Sequence, residues 1–105
     1  MTDLAGALAL LDRRARAYTV TAWRARGRAA IAFGLAGTFI ELARQAGDPV
    51  PAEVMPPDVD EHGIADVLAV LGQDLLAAQP NAEITAAAVQ AVNAALDAFA
   101  ATAVR

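Results

Sequence analysis

Leu4, Leu8, Leu11, Ala15, Tyr18 and Ala22 recur at alternating spacings of four and three, and this rhythm constrains the fold more than any other feature of the chain. Side chains at that spacing fall on one face of an α-helix. Thr2, just ahead of the stripe, is a residue type that caps helix starts. Arg13, Arg24 and Arg28 fall on the opposite side of the same helix. Beyond Arg28 the bulky residues are Ile31, Leu35, Phe39 and Leu42, which at about 100° per residue lie on the side that carried the arginines. The buried face has switched. Either the helix breaks near Gly27, or one long kinked helix of about 44 residues and about 66 Å packs against different partners along its two halves. The break is the preferred expectation.

The second segment, from Arg28 to Ala46, also carries Phe33 and Ile40 on its other side. Being apolar nearly all round, it is expected to sit centrally, with more apolar surface than one thin bundle covers. Gly27, Ala30, Gly34 and Gly37 form a row of small residues that would let another backbone approach closely, either within the bundle or from a second copy. This row is the candidate oligomer interface. Gly47 and Asp48 end the segment, and Pro49, Pro51, Pro56 and Pro57 make the next stretch a connector. Asp58 and Glu61 resemble a capping box opening a third helix, whose Ile64, Val67, Leu68, Leu71 and Leu75 should face inward until Pro80 and Asn81 stop it. Thr85 is expected to cap a fourth helix, with Ile84 and Val89 as its staple and Val92, Leu96, Phe99 and Ala103 continuing the stripe.

Composition points the same way. Aromatic residues are 5% of the chain, and much of its 57% hydrophobic content is alanine, the best helix former. The expected fold is all-α: a small bundle of four helical segments, the first two in one long kinked helix if the break is absent. At 105 residues the chain suits a single domain, 1–105. There is no cysteine, which fits a reducing compartment and excludes disulfides and thiolate chemistry. The most apolar run, residues 29–40, is closed by Arg28 and Glu41 and falls short of the roughly 20 residues of a spanning helix. No transmembrane segment is expected. Leu4 to Leu11 could serve as a short signal core, but Asp3 stands where such a signal carries positive charge, so a cytoplasmic location is expected.

Chemistry-bearing patterns are sparse. His62, the only histidine, follows Asp58, Asp60 and Glu61, and carboxylates in a first helical turn are explained by the helix dipole. No Glu-x-x-His pair exists of the kind that builds di-iron bundles. The chain has no serine or cysteine to act as a nucleophile, and Asp66, Asp74 and Asp97 sit between apolar positions as solvated-face residues. No catalytic residue, metal or cofactor is therefore expected.

Charge is the most uneven feature. Residues 1–46 hold seven arginines against three acids, a net +4, while residues 47–105 hold one arginine against nine acids, a net −8. On one reading the acidic later helices neutralise the basic first helix across their rims. On another, Arg13, Arg16, Trp23, Arg24 and Arg28 form a site for an anionic partner or ligand. Nucleic acid is a poor partner for a chain of net charge −4, although Arg26-Gly27-Arg28 resembles the core of an AT-hook without its flanking prolines. A first long helix followed by two shorter ones resembles the helical chorismate mutase family in architecture. That family builds its pocket from arginines and a lysine, and with no lysine here none of its site residues carries over. The leading expectation is a non-catalytic interaction or assembly protein acting through helix packing with itself, as a homodimer, or with another protein. The alternative is a small-molecule binder or enzyme with an arginine-lined pocket for an anionic ligand.

Overall fold

In the computed structural model, which describes residues 3–47 and 61–103, five helices follow one another: α1 Leu4–Ala17, α2 Val20–Arg24, α3 Arg28–Gln45, α4 Ile64–Ala77 and α5 Ala82–Thr102. No strand occurs among the described residues. The first stripe does form a helix, but Asp3 caps it, its carboxylate accepting from the Gly6 amide at 2.7 Å. Thr2 lies outside the described residues.

The expected break at Gly27 is present. Arg26 and Gly27 are both left-handed, with φ of 57° and 72°, and α3 starts at Arg28. An unexpected second break separates α1 from α2. Tyr18 and Thr19 are extended, and the Thr19 hydroxyl accepts from the Ala22 amide at 3.1 Å. Thr19, Val20 and Thr21 are β-branched and helix-averse, so a threonine free to cap ends one helix and opens the next. The turn brings three rings together edge to face: Tyr18 and Trp23 at 5.0 Å, Tyr18 and Phe99 at 5.6 Å, Trp23 and Phe99 at 5.7 Å.

α4 begins at Ile64 behind Gly63, with Glu61 to Gly63 in a turn and no side-chain cap at Gly63; the expected capping box rests on Asp58, which lies outside the described residues. Ile64, Leu68 and Leu75 are buried as the spacing required, while Val67 and Leu71 are half-buried. Thr85 is not the cap of α5. The helix starts four residues earlier, where the Asn81 side chain accepts from the Ile84 amide at 2.8 Å, and the Thr85 hydroxyl donates back to the Pro80 carbonyl. Asn81→Ala should therefore lower stability by about 1 kcal/mol, read as a shift in urea midpoint. An unchanged midpoint would move the cap elsewhere.

Each of α1 and α3 packs against both α4 and α5, yet the backbones of α1 and α3 never come within packing distance, nor do those of α4 and α5. The result is two splayed pairs, interlocked, in a body 17 Å across its shortest axis. That thickness suits two layers of helices with axes about 8–10 Å apart. The core runs between the layers through Leu11, Phe39, Leu75, Val92 and Phe99. α3 packs on α2, α4 and α5. Its bulky Leu35, Phe39, Ile40 and Leu42 are covered within one copy, while Ile31 and Phe33 are half-buried and Ala30 and Gly34 exposed, so part of the segment's apolar surface stays accessible.

α5 carries a feature the short run at 29–40 did not disclose. It is 21 residues long and holds an 18-residue window of mean hydropathy 1.4, long and apolar enough by length and composition to cross a membrane, with 28% of that window buried. Its apolarity is mostly alanine, interrupted by Glu83, Gln90, Asn93 and Asp97, and its Ala88, Val92 and Phe99 belong to the bundle core.

Candidate functional site

Two helix breaks within ten residues redistribute the arginines that a continuous helix would align. Arg28, at the start of α3, turns inward. Its Nε donates to the Thr102 hydroxyl at 2.8 Å, its Nη1 to the Ala22 carbonyl at 2.9 Å, and its guanidinium lies 5.0 Å from the centre of the Tyr18 ring. Arg26 donates to the Thr102 carbonyl at 2.7 Å, placing a cation at the negative end of α5. These two arginines clamp the α2–α3 turn onto the end of α5. Trp23 is 2% exposed and is core.

Arg16 and Arg24 are answered by acids of the other half of the chain. Arg16 bonds Asp12 at 2.9 Å and Asp66 at 3.1 Å, and Arg24 meets Glu61 at 3.3 Å. The hydrogen bond that Arg16 donates to Asp66, then the charge of Asp12, hold the Arg16 guanidinium above its ordinary pKa. Glu61 is held below the usual carboxylate range by a hydrogen bond from its own backbone, then by Arg24. Charge neutralisation between the basic and acidic halves is thus present in the geometry. At such exposure water screens each pair strongly, so these contacts orient the halves more than they stabilise them.

A hollow of about 350 Å³ opens beside these pairs, bordered by Arg16, Tyr18, Trp23, Glu61 and His62. It gathers two of the expected site residues, Arg16 and Trp23. Arg13 lies elsewhere, on the α1–α5 flank, where it borders a separate hollow of about 430 Å³ with Leu10, Arg14, Ala17 and Leu96. Arg13 and Arg14 make no ion pair among the described residues. The five residues expected to form one patch thus occupy four places: a core ring, an inward clamp and two surface flanks. No group of three metal-ligating side chains converges among the described residues.

The small-residue row is split as well. Gly27 sits in the turn before α3, Ala30 and Gly34 are exposed on its outer face, and Gly37 is half-buried. Nothing lies within 4 Å of where a Gly34 Cβ would stand. Close packing inside the bundle uses Gly72 of α4 instead, where an added Cβ would meet Leu8 Cδ2 at 2.7 Å. Sequence reasoning passed over Gly72, Thr102 and the exposed Leu10; Leu10 was legible, since it falls off the α1 stripe. Comparison of the chain with models of protein families, with curated proteins and with solved structures finds no match to any of them.

Proposed function

We propose that this chain is a non-catalytic helical interaction protein that associates with a second copy of itself through the outer face of α3. The observation that carries this reading is Gly34. A glycine inside an exposed helix costs about 1 kcal/mol relative to alanine. The bundle has no use for it, because the space where its Cβ would stand is open. A residue that weakens its own helix without serving its own core fits a surface that another backbone approaches closely. The surroundings suit that use. Ala30 is one turn away, and the Thr38 hydroxyl donates to the Gly34 carbonyl at 3.1 Å, so it presents no unmet donor. An alanine-lined hollow of about 300 Å³ between α3 and α5 adjoins this face, bordered by Ile31, Thr38, Ala91, Ala94 and Ala98. A two-fold pair is the commonest closed arrangement for such a surface.

The alternative, an arginine-lined pocket for an anion, has less behind it, because Arg16 and Arg24 already have carboxylate partners. Light scattering at micromolar concentration in about 1 M salt, where exposed charges are screened, should return twice the chain mass. Under the same high-salt conditions Gly34→Leu should return the single-chain mass while leaving helix content intact, since leucine is the better helix former and a Cβ there meets nothing. A wild-type mass of one chain would remove the reading.

A further inference from the structure

Two large hydrophobic side chains stand exposed among the described residues, Leu10 at 45% and Val70 at 59%. Their surroundings carry opposite charge. Leu10 on α1 is followed one turn on by Arg13 and Arg14, whereas Val70 on α4 has Asp66 one turn before it and Asp74 one turn after. Arg13, Arg14 and Asp74 make no ion pair among the described residues, and Asp66, bonded to Arg16, keeps 71% of its side chain exposed. From these facts we infer a second self-association surface: the Leu10 patch of one copy receives the Val70 patch of another. This contact goes beyond the α3 face proposed above and is separate from it.

Shape and charge both support a second copy as the occupant. Beside Leu10 lies the hollow of about 430 Å³, rimmed by Arg13 and Arg14 and closed by Ala17 and Leu96. Val70 is a protruding apolar knob of a size to enter it. With Val70 seated there, a carboxylate stands one helical turn, about 6 Å, to either side of it. Arg13 and Arg14 then meet Asp66 or Asp74 of the second copy in either direction of approach. Each patch alone would repel its own like, since arginines would face arginines and carboxylates face carboxylates. That selects patch against opposite patch.

The geometry also fixes the kind of assembly. Leu10 and Leu96 place the basic patch on the flank where α1 meets α5, and the acidic patch is on α4. α4 and α5 both pack on α1 without packing on each other, so the two patches lie on different sides of the molecule. A copy whose basic patch is filled still offers its acidic patch. The contact is therefore head-to-tail, generating rings or open chains rather than a closed pair.

Sedimentation velocity of the full chain tests this. At low ionic strength the weight-average mass should climb with concentration past two chains. In about 1 M salt, where the Debye length is about 3 Å, the head-to-tail contact should weaken by roughly tenfold or more. R13E/R14E should abolish the salt-sensitive association, and so should V70K/D74R, with the helical signal unchanged in each. R13E/R14E mixed with V70K/D74R should associate as pairs, because the intact Val70 patch of the first meets the intact Leu10 patch of the second. Gly34→Leu should keep the salt-sensitive association while losing any salt-insensitive dimer, so the failure of one surface is distinguishable from that of the other. A mass that ignores salt and R13E/R14E would overturn the inference, as would mixed variants that stay apart.

Discussion

Phe99→Ala should destabilise the protein by about 3–5 kcal/mol, the range for emptying a fully buried aromatic site. Phe99 is 0% exposed and lies in the last full turn of α5, where both Tyr18 and Trp23 meet it edge to face. Its carbonyl also accepts from the Thr102 hydroxyl at 2.6 Å, and that hydroxyl accepts from Arg28. Losing the ring therefore opens a cavity under the α1–α2 turn and loosens the clamp that closes it. Domains of this size are stable by about 5–15 kcal/mol, so the loss is a large part of the whole. Trp23 is the only tryptophan and serves as the reporter. Urea unfolding followed by its fluorescence should show a lower midpoint, and its emission should shift red before unfolding. A midpoint moved by less than about 1 kcal/mol would mean that the three rings do not form the centre of this end of the bundle.

The second large effect is expected at Gly72, and the same replacement made at Gly34 calibrates it. A Cβ at Gly72 meets Leu8 Cδ2 at 2.7 Å, and Leu8 is itself buried at 7% exposure between α1 and α4. Gly72→Leu must displace the Leu8 side chain from its packed position between α1 and α4, at a cost of about 1–3 kcal/mol for overpacking, offset in part by about 1 kcal/mol of helix propensity. Gly34→Leu gains the propensity with no obstruction. The two leucines should thus move the melting temperature in opposite directions when measured where the chain is monomeric. Adding Leu8→Ala to Gly72→Leu should recover part of the loss, because the two side chains compete for one space. If Leu8→Ala and Gly72→Leu simply add, the contact between them is not what sets the α1–α4 spacing.

The helices were legible where one rhythm ran uninterrupted. α3 occupies Arg28–Gln45 within one residue of its expected span, and the face switch at Gly27 announced the break before it. The break at Thr19 was hidden because Ala15, Tyr18 and Ala22 keep the apolar spacing across it. Periodicity reports which residues are buried, and Tyr18 stays packed against the core whether or not the chain is helical there. The start of α5 was misplaced for a related reason: Asn81 and Thr85 are both capping types, and the buried Ile84 suits either as a start. The arginine face depended wholly on continuity. Arg13 and Arg28 share a side only on an unbroken helix, and the two turns carry them to opposite roles, one a bare surface cation and the other a half-buried clamp. The charge imbalance between the halves was visible at once. Which acid answers which arginine was not, since Arg16 and Asp66 are 50 residues apart and only the finished packing joins them.

The interlocked pairs have a consequence for how this chain can reach its native state. Most small helical proteins contain at least one helical hairpin, two neighbours in sequence that bury each other and form early. Here the four-residue turn 78–81 delivers α5 away from α4, and α1 and α3 likewise diverge around α2. Neither splayed pair encloses anything between its own long helices; each is the filling of the other. Among the contacts of the long helices, those of α3 with α4 link the nearest neighbours in sequence, and the others span greater separations, so loop closure comes before most of the burial that rewards it. The first half of the chain, as it leaves the ribosome, presents stripes with no mate until the second half arrives. The architecture is thus a mutual template, in which the long helices of each half find their packing partners in the other.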